Sequence, residues 1–143
     1  DNSTTAMTGH QPHPGTGRTV MGEIVQKINI EQVLRGIGVT EIETINPLEL
    51  EASVSCVKRM AEKSGVRAII FKAPCIAVTK PKAPLHVDQD SCIGCKKCIR
   101  DLGCPAIVMN DGKICIDASM CTGCHLCSQV CPVCAIAGGD DYE

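Results

Sequence analysis

Two matched runs of cysteine constrain this chain more than any other feature, for ten of its twelve cysteines lie between Cys92 and Cys134. The first run is Cys92, Cys95, Cys98 and Cys104 followed by Pro105; the second is Cys121, Cys124, Cys127 and Cys131 followed by Pro132. Three thiolates at intervals of three surround one small volume, and a fourth beside proline leaves the loop for another site. That is the pattern of paired iron-sulfur clusters, in which the fourth cysteine of each run ligates the other cluster. The second run matches CxxCxxCxxxCP in full, whereas the first has five residues between Cys98 and Cys104, two more than the signature. Two 4Fe-4S clusters are therefore expected, one on Cys92, Cys95, Cys98 and Cys131 and the other on Cys121, Cys124, Cys127 and Cys104.

The runs repeat one another at an offset of 29 residues, Cys92 to Cys121 through Cys98 to Cys127, which points to a pseudo-symmetric module. Disulfides would need an oxidising compartment, and no charged, apolar and small-residue leader is visible. Zinc is the stronger rival, since CxxC pairs also build tetrahedral thiolate sites. Zinc sites, however, rarely use a third cysteine three residues on and a proline after the fourth.

Residues 81–143 make a segment of 63 residues, too short to build a sufficient apolar core alone, so the clusters must act as its staples. Aromatic residues are almost absent, only Phe71 and Tyr142, which leaves aliphatic side chains to fill the interior. Net charge is −2, which suggests neither nucleic acid nor an anionic membrane as a partner. No apolar run approaches the roughly 20 residues of a membrane-crossing helix, and a cytoplasmic location is expected. Charge divides unevenly: residues 1–80 carry nine basic against eight acidic side chains, and residues 81–143 five against eight. The excess is either ordinary solvated surface or a device that orients an electron-carrier partner.

Before the cysteines the pattern is that of an α/β domain. Ile24, Ile28, Val33, Leu34 and Ile37 recur at helical intervals until Gly36 and Gly38. Val39 to Ile45 alternates as a strand, and Leu48 to Ser64 reads as an amphipathic helix turning Leu50, Val54, Val57 and Met60 or Ala61 inward. Val66 to Phe71 is an apolar strand of the kind buried in a parallel sheet. Strand, helix and strand at this length form one crossover unit, so residues 1–80 are expected to be the end of an α/β domain. Residues Thr79 to Leu85, with Pro81 and Pro84, form a stiff linker to a small α+β, ferredoxin-like domain over residues 81–143.

The opening stretch, Asp1 to Gln11 (DNSTTAMTGHQ), has small hydroxyl and amide side chains leading to Gly9, Pro12, Pro14, Gly15 and Gly17. An Asn oxygen and main-chain carbonyls are hard ligands suited to hydrated magnesium carrying phosphates; an irregular loop with no ligand is the plainer reading. The segment resembles the second half of the thiamine diphosphate motif of 2-oxoacid:ferredoxin oxidoreductases, within them the alpha subunit of the indolepyruvate enzymes. The resemblance implies a C-terminal piece of a longer subunit, with a Gly-Asp-Gly upstream whose Asp shares the magnesium with Asn2 and the carbonyl of Thr4. Thr8 and Gly9 would line the diphosphate loop. It further implies a doubly wound thiamine diphosphate-binding domain ending in residues 1–80. The implied reaction is oxidative decarboxylation of a 2-oxoacid, an aryl pyruvate, with coenzyme A to an acyl-coenzyme A. The rest of the alpha subunit and a second subunit would be its partners, and electrons would pass through the two clusters to a soluble ferredoxin. The alternative function is a two-cluster electron carrier with an α/β extension and no catalysis of its own.

Four cysteines fall outside the ligand sets. Cys56 and Cys75 are expected to be small buried hydrophobes, and Cys115 and Cys134 packing residues. His10, His13 and His125 are expected to be loop residues, although His125 stands between Cys124 and Leu126, where it could tune a cluster.

Overall fold

A pair of parallel strands joined by one crossover helix organises the first half of the chain. The computed structural model describes residues 1–5, 7 and 9–138, which divide into two compact units, Asp1–Lys80 and Pro81–Glu143. In the first unit β1 (Glu41–Ile45) pairs in parallel with β2 (Arg67–Phe71), Glu41 opposite Arg67 and Ile45 opposite Phe71. Parallel strands need such a crossover because a tight turn can only reverse the chain. The crossing helix, here α2, runs from Leu50 to Glu62. Asn46 starts the approach to it, its side-chain oxygen accepting from Leu48 N at 3.0 Å and its carbonyl from Ser53 Oγ at 3.0 Å.

The inward face of α2 is not the one that apolarity alone selects. Ser53, Cys56 and Met60 are buried, whereas Val54 and Val57 stay 44% and 46% exposed. Polar pairs fix the rotation. Cys56 Sγ donates to Glu43 at 3.4 Å, Arg59 pairs with the same carboxylate, and Lys63 Nζ lies 2.5 Å from Glu41. These tie one stripe of the helix to β1 and leave the valines beside it outside. Truncating Met60, 2% exposed, to alanine is accordingly expected to destabilise this unit by about 2–5 kcal/mol. Val57→Ala is expected to cost about 0.5 kcal/mol or less. Denaturant unfolding of the two variants measures the difference.

The helix expected from Ile24 onward is shorter. Only α1 (Ile30–Gly36) forms, capped by Asn29 Oδ1 accepting from Gln32 N at 3.2 Å. Its predecessors fold back instead: Thr19 N donates to Glu23 O, Val25 N to Gly17 O and Ile28 N to Pro14 O, each at 3.0 Å. Gly22, at φ 88°, makes the reversal. Amides bonded to the preceding strand-like segment cannot also reach carbonyls four residues back, so the helix cannot start before Asn29.

The second unit is built from short pieces. β3 (Leu85–Val87) pairs antiparallel with β6 (Ile136–Gly138), and β4 (Ile107–Asn110) with β5 (Lys113–Ile116). The β4–β5 hairpin turns on Asp111 and Gly112, at φ 47° and 79°, the doubly positive pair that matches strand twist. Two short helices, α3 (Lys97–Leu102) and α4 (Leu126–Val130), each follow a cysteine loop. Leu85, Ile107, Ile114, Val130, Ala135 and Ile136 form the core, with Cys98 and Cys127 buried as well. Among the described residues no helix is long and apolar enough to cross a membrane.

Candidate metal centres

Both cysteine loops are built by the same local rules. Four residues ahead of each first cysteine stands an aspartate, Asp88 or Asp117, whose carbonyl accepts from Cys92 N or Cys121 N at 3.0 Å. Each aspartate's carboxylate accepts the amide two residues on, Asp90 N at 3.0 Å and Ser119 N at 2.9 Å. Hydroxyls from Ser91 and Ser119, together with these amides, hold both carboxyls below the usual range. Inside the loops Gly94 and Gly123 take φ 64° and 67°, and Lys96 and His125 take φ 58° and 61°. The left-handed residues turn the chain so that the third cysteine starts a helix, Cys98 in α3 and Cys127 in α4. The repeat was legible from the cysteines; the paired aspartates, at the same 29-residue offset, extend it.

One cleft is lined by Cys92, Cys95, Cys98 and, from the other run, Cys131. The return of Cys131 follows from the chain path after α4: Ala135 N donates to Cys131 Sγ at 3.2 Å as the chain enters β6. The remaining four thiols also lie near one another. Burial first, then the neighbouring Cys124, Cys121 and Cys104, push the Cys127 thiol up to about 11. Burial likewise raises Cys98, with smaller contributions from Cys95 and Cys131. As free thiols these groups would stay protonated, so iron must displace the protons on binding and loading is favoured as pH rises. The N–H groups of Leu85, 3.5 Å from Cys121 Sγ, and of Ala135 are donors to sulfur, a contact that tunes cluster potential. Main-chain donors carry no side-chain signature, so sequence could not reveal them.

Among the described residues no three His, Cys, Asp or Glu side chains stand together as ligands of one metal ion. A tetrahedral zinc draws its thiolates to a single point about 2.3 Å away; a four-iron cluster gives each thiolate its own iron, so its ligands are spread more widely. Of the cysteines outside the sets, Cys56 is buried and Cys75 and Cys115 are half-buried. Cys134 is exposed, at φ 52°, so it is not the packing residue expected from its apolar neighbours; the left-handed bend ahead of β6 turns it outward.

The N-terminal segment lies against the end of β2. Asp1 N donates to Phe71 O at 2.8 Å, Ala73 N to Asp1 O at 3.2 Å and Cys75 N to Asn2 O at 2.9 Å. Asn2 Oδ1 accepts from Thr4 N at 3.2 Å, and Thr4 is buried, its hydroxyl donating to Gln11 O at 3.3 Å. Gly9 is exposed at φ 104°. Thr8 lies outside the described residues.

The 4Fe-4S dicluster domain family matches residues 84–132. Indolepyruvate oxidoreductase subunit IorA of Methanothermobacter thermautotrophicus is 44% identical over 138 residues, 95% of this chain and 22% of that protein. The same subunit of Archaeoglobus fulgidus is 37% identical, covering 95% of the chain and 23% of its own length. That of Thermococcus kodakarensis is 39% identical, over 92% and 22%. The chain thus spans less than a quarter of the length of the curated relatives it matches. Along nearly its whole length the chain is similar to a C-terminal part of indolepyruvate oxidoreductase IorA subunits, and residues 84–132 match a 4Fe-4S dicluster domain.

Proposed function

We propose that residues 81–143 hold two 4Fe-4S clusters, one on Cys92, Cys95, Cys98 and Cys131 and one on Cys121, Cys124, Cys127 and Cys104. They would serve a cytoplasmic enzyme that oxidatively decarboxylates an aryl pyruvate with coenzyme A and passes the electrons to a soluble ferredoxin. Residues 1–80 are in this reading the C-terminal portion of a thiamine diphosphate-binding α/β domain, completed by the rest of the alpha subunit and partnered by a second subunit. The observation that carries it is the shared cleft of Cys92, Cys95 and Cys98 with Cys131 from the other run, the crossing that paired clusters need.

The residues present fit half of a magnesium diphosphate site. Asn2 Oδ1 takes one amide in its turn and keeps a second lone pair for a cation. The same turn keeps Asn2 and the main chain of Thr4 together, and it sits beside the C-terminal end of β2, the end of a parallel sheet where ligands bind. Bound thiamine diphosphate would supply the carbanion chemistry of decarboxylation. This chain would orient the metal through Asn2 and Thr4 and leave the remaining ligands to the upstream segment. The cysteines of the two runs would hold a pair of one-electron acceptors at fixed separation.

Anaerobic preparation followed by iron and sulfide analysis tests the reading. About eight of each per chain are expected from two four-iron clusters, with visible absorption that bleaches on reduction. Stoichiometric zinc without sulfide would overturn it.

A further inference from the structure

The two cysteine loops share a backbone but not an exposure. Ile93, Gly94, Cys95, Lys96 and Lys97 are all exposed; their counterparts Thr122, Gly123, Cys124, His125 and Leu126 are half-buried or buried. The linker explains the difference, because it lies across the second loop and not the first. Lys82 N donates to Thr122 O at 3.2 Å, and a Cβ on Gly123 would meet Ala83 O at 2.7 Å. The charge at the matched loop position differs as well. Lys96 lines the cleft of Cys92, Cys95, Cys98 and Cys131, whereas its counterpart is His125. Lys97 is neutralised locally by Asp101 at 2.9 Å, and Lys82 is a cation on the segment that covers the second loop.

Resting on the cluster reading above, we infer that the cluster of the first run is the outer, higher-potential member of the pair, and that Lys96 sets it apart. Reduction adds one negative charge to a cluster, and both water and a nearby cation favour the more negative state. The first loop has more water than the second, and the exposed Lys96 borders its cleft. One electron therefore leaves the reduced second-run cluster and reduces the oxidised first-run cluster. A soluble one-electron carrier then reoxidises the latter, and no bond or proton changes hands. The exposed Cys95 edge, next to the exposed Lys96, suits a carrier with an acidic face.

Redox titration of the cluster-loaded chain, followed by electron paramagnetic resonance, tests this with Lys96→Asn, a residue that tolerates the left-handed backbone. The expected result is a fall of the higher midpoint alone, by roughly tenfold in the reduction equilibrium, about 59 mV for one electron. Lys96→Arg should keep it, and His125→Lys should raise the lower midpoint and narrow the gap. A shift of the lower midpoint on Lys96→Asn, or no shift, overturns the inference while two cluster signals remain. Absence of two signals overturns the cluster reading itself.

Discussion

Removing iron from this chain is expected to unfold residues 81–138 as a unit. Their strands are three or four residues long and their helices six and five. Helices shorter than about 12 residues are marginal in water, and an isolated two-stranded hairpin is marginal as well. The core holds a handful of aliphatic side chains and two buried cysteines, Cys98 and Cys127. A core of this size rarely supplies more than about 3–5 kcal/mol, a margin that loss of the cluster links would remove. What links the pieces is the cysteine set, since each four spans both loops: Cys131 joins α3's loop to the end of α4, and Cys104 lies on the far side of α3. Amide exchange before and after anaerobic chelation is the measurement. Protection in β4, β5 and β6 should disappear, and protection in β1 and β2, which contain no cysteine of either run, should persist. An iron-free chain that keeps the β4–β5 hairpin protected would show that aliphatic packing suffices.

Much of this was legible because thiolate spacing and strand-helix-strand periodicity are local signals. The two cysteine runs and their repeat could be read from the intervals, and the parallel unit could be read from Val39 to Phe71. The dicluster domain then stands in the family match over residues 84–132. What was not legible depended on partners distant in sequence. The rotation of α2 is decided by Glu43 and Glu41 holding Arg59 and Lys63, a preference no hydrophobic count of the helix contains. Ile24 and Ile28 have helical spacing, yet Pro14 and Gly17 take the amides that a helix there would need. The left-handed turns at Lys96 and His125 bring the third cysteine of each run to the start of a helix, and nothing about a lysine side chain announces the one at Lys96.

Replacing Cys131 with alanine should remove the cluster of the other run, the sharpest consequence of the crossed arrangement. Cys131 belongs by spacing to the run of Cys127, yet it lines the cleft of Cys92, Cys95 and Cys98, while Cys127 feels Cys104. A four-iron cluster that loses one of its four thiolate ligands exposes an iron to solvent, and the cluster should be lost. Iron content is expected to fall by about half, from about eight to about four per chain. Mass-spectrometric mapping of alkylated thiols then identifies the vacated loop. In Cys131→Ala the newly reactive residues should be Cys92, Cys95 and Cys98, with Cys121, Cys124 and Cys127 still protected. Cys104→Ala should give the reverse pattern, and Cys134→Ala, whose thiol is already exposed, should leave both clusters in place. Labelling of Cys121, Cys124 and Cys127 in Cys131→Ala would mean that each run closes on itself. The two clusters would then lose the interleaved cysteines that fix their separation, and with it the structural reason for electrons to pass between them.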